Sequence, residues 1–233
     1  MSTWKALLLQ HAKERFEEQK QAERQAIANY NGAVLMAPIS PSPPVLIEAA
    51  LERVGTATSA SGDGPLVFPG ATIVDLGCGD GRWLLAAAKR FPGVRCVGYD
   101  LDKALLHNAN SAASAFIAEQ QQQKEAVEAQ PPLSTVEFHR QDLMLGDVSN
   151  ATVVVVYLFR EGSVDVMKKL ERELPARDTA VLSVGFALRG WEARWVLRVD
   201  GSVPCYFYSP VQNKNDIGNH RCSYLSVSLL SFW

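Results

Sequence analysis

One short segment constrains the fold of this chain more than any other. An apolar run, Thr72–Leu76, leads directly into three glycines spaced Gly-x-Gly-x-Gly, namely Gly77, Gly79 and Gly81, and a helix-forming run at residues 83–90 follows at once. Glycines let the backbone turn tightly and approach a ligand closely. The helix behind them presents unpaired N–H groups to an anionic ligand group. The segment therefore predicts a strand, a ligand-binding turn and a helix, which is the repeating unit of doubly wound α/β folds.

The details of this turn argue against two common nucleotide-binding motifs. A phosphate-binding loop would carry Gly-Lys-Ser/Thr, which the segment lacks, and here an acid, Asp75, precedes the glycines. The dinucleotide fingerprint Gly-x-Gly-x-x-Gly has one more residue between its last two glycines. A phosphate-binding loop and a nicotinamide cofactor are therefore both disfavoured.

Acids also follow the next two predicted strands. Asp100 ends an apolar run that starts at Val94, about 20 residues beyond the glycines, where an acid can accept ribose hydroxyls. A short strand near Val136 leads to Asp142, and residues 151–157 form a continuous apolar run. Such a run is typical of a parallel strand that is covered on both faces. The order of these pieces predicts an α/β fold with a doubly wound, mostly parallel sheet.

The pattern Asp-x-Gly-x-Gly-x-Gly resembles motif I of class I S-adenosylmethionine-dependent methyltransferases. The resemblance implies a seven-stranded Rossmann-like sheet with a C-terminal antiparallel hairpin, S-adenosyl-L-methionine as cofactor and S-adenosyl-L-homocysteine as product. Asp200-Gly201 between two apolar alternating runs is itself a hairpin signal. The resemblance also implies that no metal is required.

The resemblance implies a cofactor-binding set at the glycine turn, the strand ends and a proline-rich segment before the first strand: Ser42, Asp75, Gly77, Gly79, Asp80, Gly81, Asp100, Leu101, Asp142 and Leu143. The glycines would cradle the methionine part of the cofactor, and Asp75 would meet its amino group. Asp100 would hold the ribose hydroxyls, and Asp142 the adenine amine. Asp80 either contacts the cofactor or caps the following helix, and both roles stay open.

Further segments resemble one subfamily. They are the proline-rich run Pro38–Pro43, the aromatic turn Tyr157-Leu158-Phe159, and Gly190-Trp191 ahead of the hairpin. These resemble the bacterial "Tyr-Leu-Leu-Pro" methyltransferases and the mitochondrial protein-lysine methyltransferases that act on the ATP synthase c subunit and the adenine nucleotide translocase. The resemblance implies N-methylation of a protein lysine. Tyr157 and Phe159 are the catalytic candidates, as aromatic walls of a lysine channel, with Trp191 a weaker one.

The chain departs from this subfamily at several positions. Trp83 stands where an aliphatic residue is usual, and the aromatic turn, usually followed by a proline or polar residue, continues here as Phe159-Arg160-Glu161-Gly162. The Asn-Pro-Pro-Tyr signature of many adenine and glutamine methyltransferases is absent after the fourth strand. Methylation of adenine or glutamine is therefore disfavoured. Two other function classes stay open: a small-molecule or RNA methyltransferase, and a non-catalytic cofactor-binding subunit of a partner.

Composition narrows the class of partner. The 233 residues carry 23 basic and 25 acidic side chains, a net charge of −2, which disfavours nucleic acid as partner. The four cysteines show no Cys-x-x-Cys spacing, which argues against a zinc site. No apolar run is long enough to span a membrane. Glutamates near the N-terminus are atypical of a transit peptide, so the cytoplasm is expected, with the mitochondrion as alternative.

The chain is expected to divide into three parts. These are an N-terminal helical arm at residues 1–36, a methyltransferase domain at 37–210, and a tail at 211–233 that forms either an extra edge strand or an unstructured end. Within the domain, a helix after the fourth strand shows an apolar stripe at Val164, Met167, Leu170 and Leu174. Lys168 and Lys169 lie off that stripe and are expected to face solvent.

Overall fold

A computed structural model describes residues 41–58, 64–126, 132–158, 160–174, 179–199, 202–208 and 223–227. The expected N-terminal arm, the candidate Phe159, the hairpin turn at 200–201 and most of the tail lie outside the described residues. The division into arm, domain and tail stays a prediction.

The described residues form four α-helices, one short 3-10 helix and eight strands. In chain order they are α1 (Pro44–Gly55), β1 (Thr72–Leu76), α2 (Arg82–Arg90), β2 (Arg95–Asp100), α3 (Lys103–Ala126), β3 (Thr135–Arg140), the 3-10 helix (Leu143–Leu145), β4 (Val153–Val156), α4 (Arg160–Glu173), β5 (Ala180–Val184), β6 (Trp195–Val199), β7 (Cys205–Tyr208) and β8 (Ser223–Val227).

The strands form one sheet in the order β3-β2-β1-β4-β5-β7-β6-β8. Strands β1 to β5 are mutually parallel where they pair, and β7 runs antiparallel to both β5 and β6. The predicted seven-stranded, mostly parallel sheet with its antiparallel hairpin is confirmed. Strand β8 pairs in parallel with β6 and extends the sheet by an eighth strand, so part of the tail forms the edge strand that the sequence left open.

The centre of the sheet is apolar because helices cover both of its faces. All four valines of β4 are buried, and they alternate between two core clusters as successive side chains of a strand must. One cluster includes the buried face of α1 and α2, and the other includes Val166 and Leu170 of α4. The strand order reverses between β1 and β4, so a crevice for a ligand is expected at their carboxyl ends.

The buried face of α4 contains the predicted stripe except for its first residue, since Leu170 is buried and Met167 and Leu174 pack against the same core cluster. Val164, expected in the stripe, is 44% exposed, and Val166 is buried instead. Lys169, expected in solvent, is only 2% exposed and forms an ion pair with Glu173 one turn later. A lysine can lie in this face because its long apolar stem packs while its amine meets a carboxylate.

Candidate active site

The glycine turn lies at the carboxyl ends of β1 and β2, at the point where the strand order reverses. The backbone N–H groups of Gly77 and Cys78 both donate to the Tyr99 carbonyl oxygen, at 2.9 and 3.1 Å. Gly77, Gly79 and Gly81 have φ values of 91°, 54° and 76°, all in the left-handed region that favours glycine. The turn therefore needs glycine at each of these three positions and is fixed to the end of β2.

The glycines differ in what surrounds them. A Cβ at Gly81 would lie 2.3 Å from Phe138 Cζ of β3 and 3.2 Å from Ala109 Cβ of α3. A Cβ at Gly79 would meet only Leu105, at 3.9 Å. Gly81 is therefore needed for packing at the start of α2, whereas Gly79 faces space into which a ligand can come close to the backbone.

The Asp100 carboxylate is held between the turn and the loop after β2. Its Oδ2 accepts from the Gly79 N–H and its Oδ1 from the Asp102 N–H, each at 2.8 Å. A carboxylate oxygen has two lone-pair positions, so both oxygens can still accept a further hydrogen bond. The geometry fits the two ribose hydroxyls of S-adenosylmethionine.

Asp75 is buried in β1, with 3% of its surface exposed. Burial raises the pKa of its carboxyl well above the ordinary value, and the neighbouring charges of Asp100 and Asp80 raise it further. A cation beside such a carboxyl favours its charged form. The ammonium group of the cofactor's methionine part is a cation of this kind, so the buried acid fits this cofactor as well.

Asp80 is paired with Arg82. Its Oδ1 accepts from Arg82 Nε at 2.8 Å and from the Arg82 backbone N–H at 3.3 Å. The side-chain hydrogen bond from Arg82 holds the pKa of Asp80 below its usual range, against the opposing effect of burial. Arg82 is the first residue of α2, so the contact observed for Asp80 is the helix-terminal one, and its contact with the cofactor stays a prediction.

The predicted adenine end lies after β2 and β3. Asp142 Oδ1 accepts from the Met144 N–H at 2.9 Å, which caps the 3-10 helix. Leu143 is buried in the core, whereas Leu101 is 41% exposed. Leu101 therefore offers an apolar surface to a ligand, while Leu143 has only its main chain to offer.

Ser42 lies against the start of α2. Its hydroxyl oxygen accepts from Trp83 Nε1 at 3.0 Å, and its carbonyl oxygen accepts from Arg82 Nη1 at 3.1 Å. The structure thus places Ser42 against the residues that directly follow the glycine turn, and its contact with the cofactor stays a prediction. Sequence reasoning did not identify Trp83 as part of this arrangement, although its departure from the usual aliphatic residue was a signal.

The candidate residues of the acceptor channel lie on the β4 side of the point where the strand order reverses. Tyr157 directly follows β4 and is half-buried. A Cβ at Gly185, which follows β5, would lie 2.9 Å from Tyr157 Cε2, so the Tyr157 ring occupies the space that glycine leaves. Trp191 donates to Glu171 Oε1 at 3.0 Å and meets the Tyr208 ring edge-on, so it lies against α4.

Other reactive groups in the described part of the chain have little chemical role. Burial raises the pKa of the Cys78 thiol far above its ordinary value and that of Cys96 to about 12, so both thiols stay protonated and are poor nucleophiles. Among the described residues, no group of His, Cys, Asp and Glu side chains is arranged to hold a metal ion. None of the helices described is both long and apolar enough to cross a membrane.

Comparison with known proteins agrees with this site. The family model described as "ANTKMT methyltransferase domain" matches residues 75–195, more than half of the chain. A protein-lysine N-methyltransferase of Saccharolobus islandicus (strain REY15A) is 31% identical over 150 residues, which are 64% of this chain and 81% of the relative.

The fold also matches a solved structure. An RNA methyltransferase from Salinibacter ruber, crystallised with S-adenosyl-L-homocysteine, superposes with a TM-score of 0.58 at 26% identity, over 77% of this chain and all of that one. The ligand in that structure is the demethylated form of S-adenosylmethionine, and the glycine turn, Asp100 and Asp75 of this chain fit the same cofactor. The chain belongs to the ANTKMT methyltransferase domain family and is an S-adenosylmethionine-dependent methyltransferase of class I.

Proposed function

We propose that this methyltransferase transfers the methyl group to the side-chain amine of a lysine in a protein substrate. The observation that carries the proposal is the Saccharolobus islandicus relative, a protein-lysine N-methyltransferase with which this chain shares 31% identity across 81% of the relative's length. The family matched by residues 75–195 points the same way.

In such a transfer the chain's own groups bind the methyl donor, align it with the acceptor and exclude water. The cofactor, when bound, supplies an activated methyl group, so the protein supplies alignment and a site from which water is excluded. The glycine turn, Asp100 and Asp75 hold the donor. Alignment follows from the positions of these groups, since they lie at the ends of neighbouring rigid strands.

The acceptor amine must be neutral before it attacks. Apolar surroundings disfavour the ammonium form and lower the pKa of a lysine. Tyr157 lies at the end of β4, next in the sheet to β1, and its aromatic face can contact a cationic nitrogen. Its place supports the proposal that it forms a wall of the lysine channel, and Phe159 stays a prediction beside it.

RNA is a second candidate acceptor, because the Salinibacter ruber protein is an RNA methyltransferase. The net charge of −2 speaks against it, since RNA binding depends on a concentration of basic side chains. The protein-lysine proposal therefore comes first, and the experiment must separate the two.

The test is transfer of a radiolabelled methyl group from S-adenosylmethionine to the protein and RNA fractions of one cell lysate. The proposal expects label that proteinase removes and ribonuclease does not, and that acid hydrolysis recovers as methyl-lysine. Label recovered from RNA would favour the second candidate, and label on another amino acid would contradict lysine as acceptor. The Asp100→Ala variant is the control for background transfer.

A non-catalytic role as a partner's subunit is addressed by the same assay. Labelling of a heat-treated lysate, whose proteins still carry acceptors but whose own enzymes are denatured, by the purified chain would argue against that role. Labelling only with an untreated lysate would support it. Location in the cytoplasm remains a proposal from the composition of the N-terminal segment, and fluorescence microscopy of the tagged chain in its native cell tests it.

A further inference from the structure

Two side chains at the start of α2 hold the segment just before α1, here called the lead-in segment (residues 41–43). Trp83 Nε1 donates to Ser42 Oγ at 3.0 Å, and Arg82 Nη1 donates to the Ser42 carbonyl oxygen at 3.1 Å. Ser42 is only 3% exposed, although it lies 40 residues before Arg82 in the chain. Adjacent residues of α2 thus bind both the side chain and the main chain of one distant serine.

Arg82 joins this segment to the glycine turn. Its Nε donates to Asp80 Oδ1 at 2.8 Å, and its Nη2 forms an ion pair with Asp80 Oδ2 at 2.5 Å. A guanidinium group carries five N–H donors in a rigid plane, so it can bind a carboxylate and a carbonyl at once. A lysine ammonium in its place would not span both acceptors.

Trp83 determines how the Ser42 hydroxyl can act. An indole N–H only donates, so the contact occupies a lone pair of Ser42 Oγ and leaves the single hydroxyl proton to be donated to another group. The methionine part of the cofactor lies at the adjacent glycine turn in the site assigned above, and its carboxylate is an acceptor only. The donor and the acceptor are therefore complementary.

We propose that Trp83 and Arg82 are positioning residues, which hold the lead-in segment against the glycine turn and direct the Ser42 hydroxyl at the methionine carboxylate of the cofactor. The inference rests on the cofactor class and is independent of lysine as the acceptor. The Ser42 hydroxyl would contribute only to binding of the amino-acid end of the cofactor, because other residues hold the ribose and adenine.

The test compares two ligands by titration calorimetry on the full chain. S-adenosyl-L-homocysteine carries the amino-acid end, and 5′-methylthioadenosine shares the adenosine and thioether but lacks that end. Trp83→Phe and Ser42→Ala are each expected to weaken the first ligand about tenfold, the size of one hydrogen bond to a charged group. Both variants are expected to bind the second ligand within about twofold of the parent protein, a change of less than about 0.5 kcal/mol.

Matched variants separate positioning from packing. Ser42→Thr keeps a hydroxyl and is expected to retain the parent affinity for both ligands. Trp195→Phe also replaces a buried tryptophan by a smaller aromatic residue. Trp195 of β6 stacks on Phe207 of β7 with 4.7 Å between ring centroids, and this variant is expected to change neither affinity. The double variant Trp83→Phe/Ser42→Ala is expected to lose no more than Ser42→Ala alone, since the two residues act through one hydrogen bond.

Two results would overturn the inference. One is equal weakening of both ligands in Trp83→Phe and Ser42→Ala, which would make the contact part of general packing. The other is unchanged binding of S-adenosyl-L-homocysteine in Ser42→Ala. If Trp83→Phe does not fold, the comparison of Ser42→Ala with Ser42→Thr decides alone. Failure of the parent protein to bind S-adenosyl-L-homocysteine is a separate result, since it would contradict the cofactor itself.

Arg82→Lys is expected to cause a smaller loss of affinity for S-adenosyl-L-homocysteine. The variant keeps a positive charge beside Asp80 but loses the second acceptor, the Ser42 carbonyl. We expect about a threefold loss of affinity for S-adenosyl-L-homocysteine, within the range of one neutral hydrogen bond, and none for 5′-methylthioadenosine. A loss shared by both ligands would contradict the role given to Arg82.

Discussion

The two sides of the sheet's carboxyl edge are built differently. The cofactor side, at the ends of β1, β2 and β3, is fixed by backbone hydrogen bonds and by carboxylates with assigned donors, such as Asp100 between Gly79 and Asp102. On the proposed acceptor side, at the ends of β4 and β5, the Gly185 N–H donates to the Pro204 carbonyl oxygen at 2.8 Å, and the surface offered to a ligand is the Tyr157 ring, which packs against Gly185. Directed polar groups suit one unchanging ligand, whereas a surface made by packing changes shape when one side chain changes.

The largest expected effect is on the cofactor side. Gly81→Ala places a methyl group 2.3 Å from the Phe138 ring at a positive φ. Strain and overpacking together should lower the free energy of unfolding by about 3 kcal/mol. Gly190→Ala is the matched control, because its φ of +83° has open space around it and it should lose only about 1–2 kcal/mol. Equal losses in denaturant titration would contradict this interpretation of the turn.

Asp100→Ala should weaken S-adenosylmethionine about 100-fold, because it removes two charge-assisted acceptors and the support of Gly79. The fold should survive, as circular dichroism would show. Asp102→Ala is the control two residues along, since the Asp102 carboxylate caps α3 through the N–H groups of Ala104 and Leu105. Unchanged cofactor affinity in Asp100→Ala would contradict the assignment of Asp100 to the ribose hydroxyls.

Cofactor affinity should depend on pH through Asp75. Burial, with Asp100 and Asp80, raises its pKa in the ligand-free protein, so it takes up a proton as pH falls through that raised value. The protonated acid no longer attracts the ammonium group, and affinity should fall by at most about tenfold per pH unit. Calorimetry across pH would show this for S-adenosylmethionine and not for 5′-methylthioadenosine. If Asp75→Asn shows the same dependence of affinity on pH, a group other than Asp75 causes it.

A smaller effect is expected on the acceptor side. Gly185→Ala displaces the Tyr157 ring, because the new Cβ would lie 2.9 Å from it. We expect kcat/KM for the acceptor to fall about tenfold from misplacement of the channel wall, with cofactor affinity unchanged. Gly190→Ala again controls for the positive φ alone. A loss of cofactor affinity as large as the loss of kcat/KM would show that the two sides are not independent.

The smallest expected effect is a gain in stability. Because the folded pKa of Asp75 is raised, its contribution to stability is present below the unfolded pKa and lost as pH rises through the folded pKa. Asp75→Asn removes that loss and should raise the unfolding temperature of the ligand-free protein at neutral pH. For a domain of this size, 1 kcal/mol corresponds to about 2–4 °C in thermal unfolding. A lower unfolding temperature would contradict the direction of the pKa shift.

Sequence reasoning succeeded where local spacing and strand order carry the information. The glycine turn and the acids at the strand ends were predicted because a parallel sheet brings the ends of β1 and β2 together. On α4 it was right for Leu170 but wrong for Val164, which is exposed, and for Lys169, which is buried. Periodicity places residues around a helix, but the face that packs depends on the sheet beneath it and on whether a carboxylate such as Glu173 meets a buried amine.

The sequence by itself determined the fold class, because glycine spacing, apolar strands and strand-end acids all lie within short stretches of chain. The resemblance of Asp-x-Gly-x-Gly-x-Gly to a known methyltransferase motif implied the cofactor. Only the tertiary structure decided that Trp83 and Arg82 bind Ser42, that Gly185 makes room for Tyr157, and that β8 pairs with β6. Each of these contacts joins residues far apart in the chain. Their energies depend on distance and direction in three dimensions, and a linear pattern does not encode either.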